Sequence, residues 1–385
     1  MSPIKTVCLI THMNPGGAQE AILRLTRALK RRGHDVELWC LYDKTPLGDN
    51  PDQVKVLLEA ENPGAGAYAQ ILSRTISALR HHRPDAVISF LPLACVVGQV
   101  AAKIAGVPIR IASQRNPGWS YGTAMEWADK IAGSLGFYTL NVANSRAVES
   151  SFSGYPASYR KRIEIVYNGI AWKGSSLTQD QAKAKFGLCD DQFNIVSVGR
   201  LSDQKNHAVM LRALAQTTGI GLVLAGDGEL REDLEAQCAT LQISDRVLFL
   251  GDVKPKDIPD LLQASDAFAL SSRYEGQSNA LLEAMNAGRP ILASDIPPQA
   301  ETLVEEGQEP AGRLLPVEDD KAWAKAMQDL AENPALRQDL AERALARVVF
   351  FTPERSADGF ERLLVQSAQD LDLPSADSER TAAQS

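Results

Sequence analysis

Residues 273 to 285 of this 385-residue chain read Arg273-Tyr274-Glu275-Gly276-Gln277-Ser278-Asn279-Ala280-Leu281-Leu282-Glu283-Ala284-Met285. Ser278 or Asn279 can cap a following helix, because a short side-chain oxygen accepts a hydrogen bond from a free amide of the first turn. Glu283 then lies about one turn inside the helix, and Glu275 stays on the preceding loop. The amides of the helix start, between the two carboxylates, suit a phosphate. The stretch therefore fits a nucleotide sugar, whose hydroxyls the carboxylates would bind, although a helix with a solvated Glu at each end has the same spacing.

A basic cluster follows a predicted buried strand, Phe193–Val198, earlier in the same half of the chain. Gly199 and Arg200 come directly after this strand, and Lys205 precedes the next predicted helix. Open α/β sheets bind ligands at the carboxyl ends of their strands. Arg offers a planar fork of donors and Lys a point charge, so both suit a diphosphate. Two solvated surface charges are the alternative interpretation.

In combination, these segments resemble the retaining glycosyltransferases of family 4. The other matching pieces are Asn144-Ser145, Tyr167-Asn168-Gly169-Ile170, Ala225-Gly226-Asp227-Gly228 and the predicted strand Val247–Leu250 with Gly251. The similarity covers nearly the whole chain. It implies the GT-B fold, in which two Rossmann-like parallel-sheet domains face each other across a cleft and a C-terminal helix crosses back to the first domain.

Alternation of strand and helix patterns independently predicts an α/β protein with parallel sheets covered on both faces. The predicted strands of the first half are 6–10, 36–40, 86–90, 109–113 and 163–167, and those of the second half are 193–198, 221–225, 247–250, 267–270 and 291–294. We expect an N-terminal domain over 1–172 and a nucleotide-sugar-binding domain over 173–350. A long helical tail is predicted from Trp323 to about Gln369, of which 351–370 would pack toward the N-terminal domain, and 371–385 would be a disordered tail.

The resemblance assigns roles to residues of this chain. Arg200 and Lys205 would stabilise the departing diphosphate, Glu275 would orient the donor sugar, and Glu283 would bind the ribose. The remaining donor-binding residues would be Gly16, Gly17, Gly199, Gly226, Gly276, Gln277, Ser278 and Asn279. Asp227 is predicted to cap a helix rather than to catalyse. No metal and no cofactor is expected, because positive side chains and a helix start can neutralise the diphosphate.

Two segments depart from the family's usual pattern. Many members carry a His after the strand that ends near Ser113, whereas this chain has Gln114 and Arg115. We expect these two residues to contact the acceptor or the sugar, and Arg115 also suits a phosphate, an acidic sugar or a purely structural role. Pro297 and Pro298 stand where many members have glycines, and proline removes the amide donors that a backbone contact would need.

Composition limits the function classes. The chain carries 40 Lys and Arg against 48 Asp and Glu, and it shows no nucleic-acid-reading module, so nucleic acid is not an expected partner. Residues 1–172 have a net charge of +6, whereas the remainder has −14. Five scattered cysteines and the lack of a signal peptide or apolar span predict a cytoplasmic or peripheral protein. The expected partners are a nucleoside diphosphate sugar and a sugar or lipid-linked acceptor.

The first predicted helix has a basic face that suits an anionic membrane surface, or is simply solvated. Its members are Arg24, Arg27, Lys30, Arg31 and Arg32, and a second basic run is Arg80-His81-His82-Arg83. A nucleotide-sugar epimerase, a sugar phosphorylase or a non-catalytic nucleotide-sugar-binding protein remains an alternative on the same fold. The sequence does not specify the nucleotide base, the sugar or the acceptor.

Overall fold

The computed structural model describes residues 3–14, 16–43, 52–60 and 63–372. It divides into two compact units, Met1–Gly169 with Pro353–Ser385, and Ile170–Thr352. The sequence placed the corresponding boundaries after residues 172 and 350. The predicted disordered tail, apart from Leu371 and Asp372, lies outside the described residues.

The first unit is built on a parallel sheet of order β3-β2-β1-β4-β5-β6-β7, with seven strands among the described residues. The strands are Lys5–Ile10 (β1), Asp35–Cys40 (β2), Lys55–Val56 (β3), Ala86–Phe90 (β4), Ile109–Gln114 (β5), Leu140–Ala143 (β6) and Ile163–Ile165 (β7). The helices between them are Gly17–Arg31 (α1), Ala65–His82 (α2), Gln99–Ala105 (α3), Thr123–Ser134 (α4), Arg146–Ser151 (α5) and Ala157–Arg160 (α6). The strand starts of this unit thus match the predicted ones to within one residue, but β3 and β6 were not predicted.

The second unit is built on a parallel sheet of order β10-β9-β8-β11-β12-β13, again counted over the described part of the chain. Its strands are Phe193–Val198 (β8), Ile220–Ala225 (β9), Val247–Gly251 (β10), Ala267–Leu270 (β11), Ile291–Ser294 (β12) and Arg313–Leu315 (β13). Its helices are Gln179–Phe186 (α7), His207–Leu214 (α8), Arg231–Thr240 (α9), Ile258–Ala264 (α10), Asn279–Asn286 (α11), Pro297–Leu303 (α12), Asp320–Glu332 (α13) and Pro334–Val348 (α14). The predicted fold class, two Rossmann-like parallel-sheet domains, is confirmed.

The predicted helical tail consists of three helices, namely α13, α14 and a last helix, Pro353–Asp370 (α15). Pro334 and Pro353 are the first residues of α14 and α15. Proline lacks the amide hydrogen that would continue the preceding helix, and its fixed φ suits a first turn. Two prolines therefore divide the tail into three helices.

Helix α15 packs on the first unit, to which it belongs. Phe360 and Leu364 are fully buried in the same apolar cluster as Ile22 and Leu29 of α1. The ring of Phe360 stacks on that of Phe90, with centroids 6.0 Å apart. Burial of such side chains stabilises the contact by roughly 1.5–3 kcal/mol each. The last helix thus completes the core beside α1 although it lies far away in sequence.

Candidate functional site

The two segments that the sequence singled out follow neighbouring strands of the second sheet. Gly199 and Arg200 follow β8, and the loop of residues 271–278 follows β11 and leads into α11. Strands β8 and β11 pair in parallel, so both segments lie at the carboxyl edge of the sheet. Ligands of open α/β sheets bind at this edge.

Lys205 and Glu275 form an ion pair at this edge, with 2.5 Å between Nζ and Oε1. The hydroxyl of Ser272 donates a second hydrogen bond, of 2.8 Å, to the same carboxylate oxygen. Only 16% of the Lys205 side chain and 8% of the Glu275 side chain are exposed. Lys205 is therefore not a solvated surface charge, because Glu275 and Ser272 hold it in a mostly buried cluster. Sequence reasoning missed Ser272, although its position directly before the Glu275 loop was a usable signal.

Further hydrogen bonds join the turn that carries Lys205 to the loop that carries Glu275. The side chain of Gln204 donates to the carbonyl of Tyr274 at 3.0 Å, and the amide of Arg273 donates to the carbonyl of Gln204 at 2.8 Å. The hydroxyl of Ser271 donates to the carbonyl of Lys205 at 2.8 Å. The ammonium and the carboxylate are consequently positioned by one hydrogen-bonded unit.

Arg200 differs from Lys205 in its surroundings. Its side chain is exposed, and no hydrogen bond or ion pair engages it within the described ranges. An unengaged guanidinium keeps its planar fork of donors available for two oxygens of a phosphate. The site thus combines a held ammonium at Lys205 with an available guanidinium at Arg200.

Helix α11 begins as the sequence predicted, with Ser278 as its cap. The Ser278 hydroxyl accepts a hydrogen bond from the amide of Leu281 at 3.4 Å. Asn279 is the first helical residue, so its alternative role as the cap is wrong. Glu283 lies in the second turn and is half-buried, whereas Glu275 lies on the loop and is buried. Gly276 and the buried Gln277 complete the connection between the two carboxylates.

The glycines after β8 and β9 let two loops approach each other through their backbones. Gly226 has a φ of 136°, and a Cβ there would lie 2.2 Å from the carbonyl oxygen of Gly199. A Cβ on Gly228 would lie 2.4 Å from the carbonyl oxygen of Leu201. Any larger residue would separate the loops. Backbone packing therefore requires these glycines, independently of any ligand contact.

Asp227 lies in the same loop and does not cap a helix, contrary to the sequence-based prediction. Helix α9 begins at Arg231 with Leu230 before it, too far along the chain for Asp227 to be its cap. The carboxylate instead accepts a hydrogen bond of 2.8 Å from the amide of Gly228. Asp227 therefore stabilises the loop rather than the helix.

In the first unit, Gly16 and Gly17 mark the start of α1, directly after β1 and its loop. Gly16 stands at the capping position and Gly17 is the first helical residue. A Cβ on Gly16 would lie 2.7 Å from Oε1 of Gln19, so the side chain of Gln19 occupies the space over this helix start. The two glycines thus lie at the carboxyl edge of the first sheet, in the other unit from Lys205 and Glu275.

Gln114, at the end of β5, is buried in a polar network. Its amide nitrogen donates to Oδ1 of Asp129 at 3.0 Å, and its oxygen accepts from the hydroxyl of Tyr121 at 3.0 Å. Tyr138 and Tyr159 also donate to Asp129. Burial raises the pKa of the Asp129 carboxyl above its usual range, while these hydrogen bonds oppose the rise. The side chain of Gln114 is therefore held in the protein interior by these hydrogen bonds.

Arg115 is the neighbouring polar residue, and it has no carboxylate partner within the described chain. Its guanidinium lies 4.1 Å from the centre of the Phe90 ring and donates one hydrogen bond to Asn168. The buried Nε atom has no acceptor among the described residues. Burial, together with the nearby charge of Arg24, lowers the pKa of Arg115 to about 9. A desolvated cation without a counter-charge is costly, so an anionic ligand would be favoured here.

The predicted basic face of α1 is partly neutralised by neighbouring carboxylates. Arg27 pairs with Asp52 at 2.6 Å, and Arg32 pairs with Asp358 at 2.6 Å and with Glu361 at 2.5 Å. Lys30 and Arg31 are exposed. The face is consequently less cationic than the five basic residues suggest.

Neither a metal-binding cluster nor a membrane-spanning helix is present among the residues that the structure describes. Those residues contain no group of three or more His, Cys, Asp or Glu that could hold a metal ion. None of their helices combines the length and the apolar character needed to span a bilayer.

Two family sequence models match the chain. The model described as "Glycosyltransferase Family 4" matches residues 15–171, and the model described as "Glycosyl transferases group 1" matches residues 178–347. The putative glycosyltransferase EpsF of Bacillus subtilis strain 168 is 26% identical over 358 residues, which cover 88% of this chain and 91% of EpsF.

Two further similarities extend over nearly the full length. A Campylobacter jejuni protein named GalNAc-alpha-(1->4)-GalNAc-alpha-(1->3)-diNAcBac-PP-undecaprenol alpha-1,4-N-acetyl-D-galactosaminyltransferase is 24% identical over 377 residues, covering 94% of this chain and 99% of that protein. The crystal structure of Anabaena HepE in complex with UDP-glucose is similar with a TM-score of 0.79 at 24% identity, covering 96% of this chain and 99% of HepE. The fold is thus shared with known proteins along almost the whole chain.

Proposed function

Because this chain belongs to the family 4 glycosyltransferases with the GT-B fold, we propose that it is a retaining enzyme that transfers a hexose from a nucleoside diphosphate to an acceptor hydroxyl. The observation that carries this proposal is the cluster of Arg200, Lys205 and Glu275 at the carboxyl edge of the second sheet. The two cations and the helix start suit the diphosphate of the donor. The carboxylate beside them suits the hydroxyls of the donor sugar.

The proposed mechanism uses stabilisation of the departing diphosphate. Arg200 and Lys205 neutralise the charge that builds on the leaving group, which lowers the barrier more than it strengthens donor binding. Lys205 has three N–H donors, so it can bind a phosphate oxygen while it keeps its contact with Glu275. Glu283 would bind the ribose, and Glu275 would orient the sugar. The leaving phosphate would accept the proton of the acceptor hydroxyl, so no separate base is assigned.

A lipid-linked acceptor of bacterial polysaccharide or glycan synthesis is the class that we propose. The Campylobacter relative is named for an undecaprenol-linked acceptor, and a relative from Rhizobium meliloti is named for lipopolysaccharide core biosynthesis. Such acceptors lie in a membrane, so we also propose that the protein works at the cytoplasmic membrane face. HepE was solved with UDP-glucose, so UDP-sugars are the first donors to test.

The function is tested by measuring nucleotide release from UDP- and GDP-sugars with and without a polyprenyl diphosphate sugar as acceptor. We expect release with one donor, dependent on the acceptor, and a product whose anomeric configuration by NMR equals that of the donor. Release without an acceptor would indicate an epimerase, and dependence on phosphate would indicate a phosphorylase. Tight donor binding without turnover would indicate a binding protein, and an inverted product would contradict the retaining mechanism.

Metal independence is a separate prediction of the same proposal. Activity in the donor assay should persist in excess chelator, because Arg200 and Lys205 supply the positive charge that Mg²⁺ or Mn²⁺ supplies elsewhere. The measurement is the steady-state rate before and after chelation and after addition of Mn²⁺. A complete loss of the rate that Mn²⁺ restores would show that a cation is part of the site.

We further propose that Arg115, rather than Gln114, contacts a phosphate of the acceptor. The support is the buried Nε of its guanidinium, which has no acceptor, and the lack of a carboxylate partner among the described residues. Arg115→Gln should raise KM for a diphosphate-bearing acceptor about tenfold, or about 1.4 kcal/mol, and leave KM for the donor unchanged. A neutral acceptor that carries the same sugar is the control. An equal rise of KM for the neutral acceptor would show that Arg115 only supports the fold.

A further inference from the structure

Helix α4 exposes its large apolar side chains. Trp127 is 57% exposed, Ile131 53% and Leu135, directly after the helix, 64%. These residues are spaced by four, so they form one stripe along the helix. The opposite side buries Asp129 together with the small residues Ala132 and Gly133. In an ordinary amphipathic helix the apolar stripe faces the core, whereas in α4 it faces solvent.

The orientation of α4 is fixed by its buried side. Asp129 accepts hydrogen bonds from Tyr138 at 2.9 Å, from Tyr159 at 2.7 Å and from Gln114 at 3.0 Å. Gly133 lies so close to the ring of Tyr159 that a Cβ there would be 2.3 Å away. Rolling the helix to cover Trp127 would break this network and bring a larger side chain against Tyr159. The apolar stripe is therefore held toward solvent.

The exposed stripe continues onto the end of α3. Lys103 donates from Nζ to the carbonyls of Leu135 and Gly136, at 3.4 Å each, so the ends of α3 and α4 lie side by side. The next residue, Ile104, is 46% exposed. We refer to Ile104, Trp127, Ile131 and Leu135 together as the α4 patch.

Cations surround the α4 patch. The Nζ of Lys130 lies 5.1 Å from the centre of the Trp127 ring, and Lys103 bridges α3 and α4. Arg80 donates to the carbonyl of Ile104 at 3.4 Å. Over the described ranges, none of these three side chains forms an ion pair with a carboxylate. Their charge is therefore available to a polyanionic surface.

These features together indicate the partner. The patch has four apolar side chains, far fewer than the roughly 20–30 residues per side of a stable protein interface. An aromatic and aliphatic stripe edged by Lys and Arg is instead typical of helices that lie in a membrane interface, where tryptophan prefers the headgroup level. Anionic lipid would pair with the surrounding cations.

We propose that the α4 patch docks this protein on a bilayer that contains anionic lipid, with Trp127, Ile131 and Leu135 entering the interface. The inference deepens the proposed use of a lipid-linked acceptor, and vesicle binding can be measured without donor, acceptor or turnover. It also moves the expected contact away from α1, where Asp52, Asp358 and Glu361 already neutralise Arg27 and Arg32.

The test is cosedimentation of the full chain with vesicles of phosphatidylcholine, with and without phosphatidylglycerol. The parent should bind the anionic vesicles and lose affinity as salt rises. The triple variant Trp127→Ser, Ile131→Ser, Leu135→Ser should lose at least tenfold in affinity, with an unchanged unfolding temperature because all three side chains are exposed. The double variant Lys103→Glu, Lys130→Glu should lose binding to the anionic vesicles in the same assay.

Two control variants make the result specific. Leu345→Ser with Val349→Ser removes similarly exposed apolar side chains, 45% and 67%, from the second unit, and should bind vesicles like the parent. Lys30→Glu with Arg31→Glu tests the exposed cations of α1. Loss of binding in the α1 variant but not in the α4 variant would overturn the proposal. So would a parent that binds no vesicles, or one that is a dimer which the triple variant converts to a monomer.

Discussion

Replacing either cation of the diphosphate site by alanine is expected to cut turnover by about 30- to 1000-fold. This range corresponds to the roughly 2–4 kcal/mol that one donor to a developing negative charge contributes to the barrier. Arg200 and Lys205 are both assigned to the departing diphosphate, so each single variant should show the loss in kcat. Steady-state kinetics with the accepted nucleotide sugar measures the effect.

The two variants should differ in stability, which separates the chemistry from the fold. Arg200→Ala removes an exposed, unengaged side chain, so the unfolding free energy should change by less than about 0.5 kcal/mol. Lys205→Ala leaves the buried Glu275 carboxylate without its cation, which costs about 3 kcal/mol when a buried pair loses one partner. Denaturant unfolding measures both values.

A matched control for this pair is Lys185→Ala, in the same unit. Lys185 is exposed and pairs with Asp257 at 2.7 Å and with Asp260 at 2.8 Å, and it contacts neither Lys205 nor Glu275 in these ion pairs. Its removal should leave turnover at the parent value. Near-normal turnover in both Arg200→Ala and Lys205→Ala would remove the basis for the diphosphate assignment.

The second large effect is expected to distinguish the two glutamates. Glu283→Gln should weaken binding of the bare nucleoside diphosphate by about 1.5–3 kcal/mol, because the ribose would lose a hydrogen bond to a charged group. This loss corresponds to about 10- to 150-fold in Kd. Glu275→Gln should leave binding of the nucleoside diphosphate nearly unchanged and lower turnover of the full donor. Calorimetry and steady-state rates measure the two quantities.

The contact between Glu275 and Lys205 sharpens this comparison. A glutamine at position 275 still accepts a hydrogen bond from Lys205 and from Ser272, so the cluster should keep its geometry while it loses the negative charge. Glu232→Gln, on the exposed first turn of α9, is the matched control and should change neither quantity. The reverse pattern, with Glu275→Gln weakening the nucleoside diphosphate, would show that ribose and sugar are placed the wrong way round.

Much of the second sheet could be predicted from sequence. Strands β8, β11 and β12 were predicted residue for residue, because short apolar runs bounded by polar or glycine residues have few other conformations in a soluble protein. Strands β6 and β13 were missed, because a buried Asn141 and a partly exposed Arg313 interrupt such short runs. Their place is decided by the neighbouring strands with which they pair.

The sequence predicted which residues form the candidate site, but it did not predict the contacts between them. The capping role of Ser278 could be predicted, because the hydroxyl and the amide that it binds are only three residues apart in the sequence. The contact of Lys205 with Glu275 joins residues 70 positions apart and exists because β8 and β11 are neighbours in the sheet. No spacing in the sequence predicts such a pairing, so the contact between Lys205 and Glu275 was not predicted.

Helix α4 shows most clearly which features the sequence determines and which features depend on tertiary contacts. Its residue types determine that it is a helix, but a pattern with Trp127 and Ile131 on one side and Asp129 on the other would place the tryptophan in the core. The tertiary structure decides the opposite, because Tyr138, Tyr159 and Gln114 converge on Asp129 and Gly133 admits the Tyr159 ring. By itself the sequence determined most of the strands, the turns at glycine and proline and the residue types of the site. Which side chains meet and which face solvent was decided only by the tertiary structure, because those contacts depend on groups far apart in the chain that the packing of the sheets brings together.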